Sequence, residues 1–363
     1  MRVGLDITQA VKRRGRGIAR YIRELLPRLA DPALCAETGL QPVACIRGER
    51  WLRRARVADL QASIPQAWMP FSSWMSVRGL SLFHSFGNHL PARSAVPLSF
   101  TVHDFRALDA PPGERGGDRL RRNIGRATGV ICLTEHGRSR LLHHYPRFDT
   151  GRLAVIPHGV DHERFHPREV EPAAAVARRL GLDRPFFIQL GSWFPHKNLE
   201  LSIRAFALSG ARREGHLLAF VGGGASPAYR KLLDQVASEA GVAGELRWIE
   251  DVSGDDLPLL LTAATALLQP SRYEGFALPL LEAMAVGLPG VVSDSSCLPE
   301  VSGGIWPIAS QDDAEAFAAG MDAMALDATT RAAAIEAGLL RARLFSWEET
   351  ARQTAGFFRR VAR

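Results

Sequence analysis

Cysteine is scarce in this chain. Cys35, Cys45, Cys132 and Cys297 are spread over 363 positions and form no Cys-x-x-Cys pair. Neither a disulfide framework nor a cysteine-based zinc site is indicated, and a reducing compartment is expected. Long apolar runs are absent too. No stretch approaches the length that spans a bilayer, and the opening MRVGLDITQA reads as a strand without the extended apolar region of a secretion signal. The expectation is a cytoplasmic protein. There is no short-period repeat or low-complexity tract. No Asp-x-Asp cluster stands at a strand end to hold a divalent ion. In GRGIARY, Arg20 occupies the place of the third glycine of the dinucleotide fingerprint, and the next strand offers no ribose-binding acid, which argues against a nicotinamide enzyme. Neither a metal nor a cofactor is expected.

What is present is an ordinary globular composition, 46% hydrophobic and 23% charged. The length exceeds what one core usually supports, so two domains are expected, residues 1–166 and 167–363, the last helix returning to the first. Charge divides the same way. Residues 1–166 hold 26 Lys and Arg against 14 Asp and Glu, and residues 167–363 hold 19 against 24, giving +12 and −5 within the overall +7. RGERWLRRARV and GERGGDRLRRNIGRATG are the main basic clusters. They read either as a solvated arginine-rich surface or as a patch attracting an anionic membrane surface or a phosphate-bearing acceptor.

Apolar runs set the architecture. RVGLDI, PVACI, LSLFHS, LSFTVHD, GVICLT and LAVIPHG alternate with helical stretches through the first 160 residues. After the proline-punctuated DHERFHPREVEPAAAVARR, the pattern restarts with FFIQLG, HLLAFVGGG, LRWIED, ATALLQPS and PGVVSD. This is an α/β chain of two doubly wound parallel sheets facing across a cleft, in which ligands bind at the carboxyl ends of the strands.

Several motifs fall at such strand ends. Gly15 and Gly17 precede a helix, which lets backbone N–H groups approach an anion. FVGGGASP is a second glycine turn, read first as a device for tight turning. YEGFALPLLEAMAVGLPGVVSD sets Glu274 and Glu282 around a turn, with Leu278-Pro279 starting a helix. N–H groups at Gly275, Phe276 and Ala277 would face a diphosphate. Glu282, in the first helical turn, would accept hydrogen bonds from a ribose diol, and Glu274 would meet a sugar beyond the second phosphate. The alternative leaves Glu282 complementing the helix dipole and Glu274 on a surface loop.

The stretch PSRYEGFALPLLEAMAVGLPGVVSDSSCLPEV closely resembles the signature of family four of the glycosyltransferases, retaining enzymes of the GT-B fold. GRGIARYIREL, TVHDF, ICLTEHGRSRL, IPHGVDHERFHP and GSWFPHKNLELSIRAF resemble other segments of that family in the same order. The likeness is weakest between residues 48 and 95. It implies that Glu274 holds the donor sugar's hydroxyls, Glu282 the ribose and Lys197 the leaving diphosphate. It also implies that His103 lines the sugar pocket and that the Gly15–Gly17 loop closes over the phosphates. Ser192 and His196 stand where relatives often carry a basic residue, so the second cationic contact falls to a protonated His196. Ala19, Ala277 and Gly290 also depart from the family pattern and are read as packing changes.

The resemblance implies a metal-independent transfer of a hexose, mannose or a relative, from a nucleotide-sugar to a saccharide or lipid-linked saccharide in polysaccharide assembly. In LRWIEDVSGDDL, the resemblance implies that Glu250 and Asp251 lie within reach of the base, the alternative being two solvated loop acids. A carboxylate suits the adjacent N1–H and N2 amine of guanine better than the edge of uracil, which favours a GDP-sugar over a UDP-sugar. The acceptor would meet residues 48–95, including Trp51, Trp68 and Trp74. A GT-B epimerase or phosphorylase, and a basic protein binding a membrane or nucleic-acid surface, are the competing classes. The scattered arginines lack the interleaved aromatics of a nucleic-acid binder.

Overall fold

The computed structural model describes residues 1–11, 17–58, 60, 64, 69–71, 79–109 and 117–362. Gly15, Trp68, Trp74 and the side chain of Trp51 lie outside what it describes. The chain divides into two compact units, Met1–Gly159 with Ser346–Arg363, and Val160–Phe345. The first division falls ahead of residue 166 because residues 160–166 pack on the second unit. Asp161 accepts from the N–H groups of Glu163 and Arg164 at 3.1 and 3.0 Å, Phe165 is fully buried, and Arg164 donates to the Gly254 carbonyl at 2.7 Å.

Each unit is built on a parallel sheet. The first holds β1 (Arg2–Asp6), β2 (Gln41–Arg47), β3 (Met69–Phe71), β4 (Leu82–Ser85), β5 (Leu98–Val102), β6 (Gly129–Cys132) and β7 (Leu153–Val155), ordered β3-β2-β1-β4-β5-β6-β7. The second holds β8 (Phe186–Ser192), β9 (Leu217–Gly223), β10 (Leu246–Ile249), β11 (Ala266–Gln269), β12 (Gly290–Ser293) and β13 (Ile308–Ala309), ordered β10-β9-β8-β11-β12-β13. Both are doubly wound, as the alternation of apolar runs and helices predicts. Strands buried on both faces read as continuous apolar runs, and those were legible. β3 and β13, of three and two residues, were not.

Three local devices shape the first unit. The helix Gly17–Leu29 buries Ala19, Tyr21, Ile22, Leu25, Leu26 and Leu29, a stripe at helical spacing. Gly17 is its first residue, not one that precedes it. The C-terminal helix Trp347–Val361 is N-capped by Ser346, whose hydroxyl accepts from the Glu349 N–H at 3.1 Å. It packs in this unit through Trp347, Phe357 and Phe358. Gly159 makes its docking possible: a Cβ there would lie 2.2 Å from the Trp347 nitrogen, so only glycine fits.

One face of this sheet carries an unusual core of rings. His84 is fully buried, its Nδ1 and Nε2 2.9 and 3.2 Å from the hydroxyls of Ser99 and Thr101 on β5. Tyr21 stacks on His158 at 4.6 Å and meets His103 edge-on at 5.3 Å. His103 Nε2 lies 2.7 Å from the Phe86 carbonyl. A carbonyl only accepts, so Nε2 carries the proton and the other nitrogen, Nδ1, is left as an acceptor.

Burial favours the neutral form of all three histidines. It brings His84 down to about 3, lowers His103, and holds His158 well below its ordinary value. In the unfolded chain they titrate near 6.5. Stability is therefore greatest above that value and is lost as pH falls from it toward the folded-state values. The limiting loss is about 1.4 kcal/mol per pH unit for each histidine. Asp6, whose carboxyl is pushed up by burial, offsets part of this at lower pH. The melting temperature should fall clearly between pH 7.5 and 5.5 in a thermal-denaturation series; a flat or rising profile would contradict this burial of neutral imidazoles.

Candidate active site

In the second sheet, chain order reverses between β8 and β11, and ligands of open α/β sheets bind outside the carboxyl ends of strands at such a point. The segments leaving these two strands are locked together. After β8, a turn Pro195–Lys197 leads to Asn198, which has φ 54° and starts the helix Leu199–Leu208. The buried Asn198 side chain donates to the carbonyls of Pro270 and Gln311 at 3.1 and 2.8 Å. Gln189, inside β8, donates to the Lys197 carbonyl at 2.8 Å, and the Arg272 N–H donates to the His196 carbonyl at 2.8 Å. Gly191, in β8, has φ 129°, a conformation that favours glycine, and a Cβ there would make only ordinary contact with Lys197 Cε at 3.9 Å.

Lys197 reaches Glu274. Its Nζ donates to Glu274 Oε1 at 2.6 Å, with the side chains 18% and 9% exposed. The same oxygen accepts from Gln269 Nε2 at 2.5 Å and Ser271 Oγ at 2.7 Å. Because the carboxylate only accepts, the Gln269 amide must turn its NH2 toward it, which leaves the buried Gln269 Oε1 without a partner among the described residues. Burial pushes the Glu274 carboxyl up. The Lys197 charge, the bonds from Lys197 and Ser271, and nearby His196 outweigh burial and hold it below the usual range. All three side-chain bonds fall on Oε1, so Oε2 takes none of them. One oxygen anchors the group, and the other is available to hydroxyl donors.

The backbone around this pair is strained. Asn198, Ala277 and Ser296 are the three non-glycine residues with positive φ among those described, at 54°, 66° and 52°. All belong to this site: Asn198 follows Lys197, Ala277 caps the helix Leu278–Val286, and Ser296 accepts from the Glu274 N–H at 2.9 Å. Such conformations cost on the order of 1–3 kcal/mol and gather at functional sites. Ala277 is therefore a change of backbone preference where glycine would be unstrained, not the packing change read from the sequence. Gly290 is a packing change, since a Cβ there would lie 2.7 Å from the Trp306 ring.

Other expected residues are placed less uniformly. Glu282 is 2% exposed but is the fifth residue of its helix, in the second turn and not the first, because the helix starts at Leu278 with Pro279 second. Gly275 lies in the loop before the helix. Phe276 is buried and meets Phe345 edge-on at 6.1 Å. Glu274 is 8% exposed, which excludes the surface-loop alternative. Ser192 ends β8 in register with Gly223, and Glu250 and Asp251 are exposed just beyond β10. His103 and Gly17 belong to the other unit. Gln269, Ser271, Asn198 and Ser296 escaped the sequence reading. A glutamine closing the apolar run ATALLQ and an asparagine just before a helix were the available signals.

Cys297, fully buried, donates to the Glu274 carbonyl at 3.4 Å. Burial, then Glu274 and Glu300, push its thiol well above the usual value, so it remains an inert thiol.

Comparison with known proteins identifies the family and the fold. The profile described as "Glycosyl transferases group 1" matches residues 174–341, and "Glycosyltransferase Family 4" matches residues 15–164. The chain is 28% identical over 293 residues to "O-antigen chain mannosyltransferase B" of Escherichia coli, covering 77% of this chain and 74% of that protein. It is 31% identical over 188 residues to the "GDP-mannose-dependent alpha-(1-6)-phosphatidylinositol monomannoside mannosyltransferase" of Mycolicibacterium smegmatis, covering 49% of this chain and 48% of that one. Among solved structures, Anabaena HepE in complex with UDP matches with TM-score 0.77 at 15% identity over 98% of both chains. WaaG, "a glycosyltransferase involved in lipopolysaccharide biosynthesis", matches with TM-score 0.71 at 18% identity, over 97% of this chain and 98% of that one. At such identities the structures carry the fold alone.

Proposed function

This chain belongs to glycosyltransferase family 4 and has the GT-B fold, and we propose that it moves a hexose, mannose or a close relative, from a GDP-sugar to a saccharide or lipid-linked saccharide with retention at the anomeric carbon. The observation that carries the reading is the pair of half-buried Lys197 and buried Glu274 at the reversal point of the second sheet. Breaking the anomeric C–O bond leaves a nucleoside diphosphate, and a preorganised ammonium is suited to the negative charge that develops there. The acceptor hydroxyl attacks from the face the diphosphate leaves, its proton passing to a phosphate oxygen, while its own oxygen forms the new bond to the anomeric carbon. Positioning supplies much of the rate. Glu274 Oε2 accepts from the sugar hydroxyls and Glu282 from the ribose. In the other unit, His103 Nδ1 is an acceptor suited to a hydroxyl.

The donor and acceptor rest on separate support. Relatives named as mannosyltransferases, one of them GDP-mannose-dependent, favour mannose and guanine, and so do the exposed carboxylates of Glu250 and Asp251. The +12 half and the exposed Leu52 among Arg53, Arg54 and Arg56 favour an acceptor presented at an anionic lipid surface. No helix among the described residues is long and apolar enough to cross a membrane.

Two measurements test these points. In a thermal-shift series, GDP at a hundredfold its dissociation constant should stabilise the protein by about 2.7 kcal/mol, and UDP at the same concentration by less. The preference should vanish when Glu250→Ala and Asp251→Ala are combined; a stronger response to UDP contradicts the guanine assignment. In flotation assays the protein should rise with anionic liposomes at low salt and detach as salt increases. Equal retention on neutral liposomes removes the electrostatic explanation.

A further inference from the structure

We infer that Phe194 is the apolar wall of the base pocket, facing Glu250 across a floor of backbone that carries no side chains. This rests on the nucleotide-sugar reading above and adds a residue to it.

The floor is the end of β9. Gly222, Gly223 and Gly224 have φ values of 153°, 143° and 89°, so each adopts a conformation that favours glycine. A Cβ on Gly222 would lie 1.7 Å from the Gly191 carbonyl oxygen, which explains that glycine by strand approach alone. The next two are not explained by crowding. A Cβ on Gly223 would stand 3.7 Å from Glu250 Cγ and Cδ, and one on Gly224 would stand 3.7 Å from Phe194 Cε1. The order β10-β9-β8 places Glu250, just past β10, on one side of this backbone and Phe194, just past β8, on the other.

Phe194 is 43% exposed and is the one aromatic among the large exposed hydrophobics of the described residues. An aromatic ring left open beside a bare glycine floor, with a carboxylate opposite, has the chemistry a nucleobase needs. The ring takes the apolar surface, the glycines permit close approach, and the carboxylate accepts from the ring-edge N–H groups. The connection to the diphosphate site is direct, because the Phe194 carbonyl accepts from the Lys197 N–H at 2.8 Å and so opens the turn that carries the lysine.

Calorimetric titration of the full chain tests this, with GDP, UDP and inorganic pyrophosphate as probes. Phe194→Ala should weaken GDP and UDP by roughly tenfold or more, the scale of losing one aromatic contact to a base. It should leave pyrophosphate unchanged, while Phe194→Trp keeps all three affinities. Unaltered GDP affinity in Phe194→Ala overturns the wall alone. A parallel loss of GDP and pyrophosphate also overturns it, since the residue would then act by shaping the lysine turn. Should the wild-type protein bind GDP and UDP no better than pyrophosphate, the nucleotide-sugar reading falls with it.

Discussion

A single oxygen, Glu274 Oε1, holds the site together. An ammonium, an amide and a hydroxyl, contributed by the turn after β8, by β11 and by the loop that follows it, converge on it within 2.7 Å. Burying a carboxylate is costly unless its charge is matched and its lone pairs are filled, and this one is matched by Lys197. Its ionisation is thereby secured, and the lysine is held at the switch point, where an anionic leaving group can use it. The positive-φ residues follow from the same constraint. Asn198, Ala277 and Ser296 bend the chain so that the lysine, the glutamate and the following helix start meet in one place.

The first unit solves a different problem with related means. Its sheet buries His84 and His158, and partly buries His103, among aromatic rings and hydroxyls, and the C-terminal helix packs on His84 through Phe358. His103 is pinned by the Phe86 carbonyl in one tautomer. A neutral imidazole fixed this way presents an acceptor, which suits a group expected to meet sugar hydroxyls rather than phosphate.

Much of the fold was legible because continuous apolar runs and helical stripes carry their own periodicity. The glutamate turn and the lysine turn were legible as local strings. What escaped was long-range. Nothing local in RYEGFALP says that Glu274 is buried and tied to a lysine seventy-seven positions earlier, and Gln189 reads as one polar residue in an apolar strand until its bond to the Lys197 carbonyl is seen. Ala277 looked like a packing substitution because φ is invisible in sequence. β3 and β13 are too short to show any period.

If Lys197 and Glu274 act as one device, their removal should be non-additive, as for residues that work as a unit. The direct test is a double-mutant cycle of Lys197→Ala and Glu274→Gln, read on turnover of GDP-mannose. Each single variant should lose roughly 100- to 1,000-fold, the scale of one preorganised donor, and the double variant should be little worse than either. Near-normal turnover in Lys197→Ala, or losses that multiply in the double variant, would contradict the claim that this pair is the centre of the donor site.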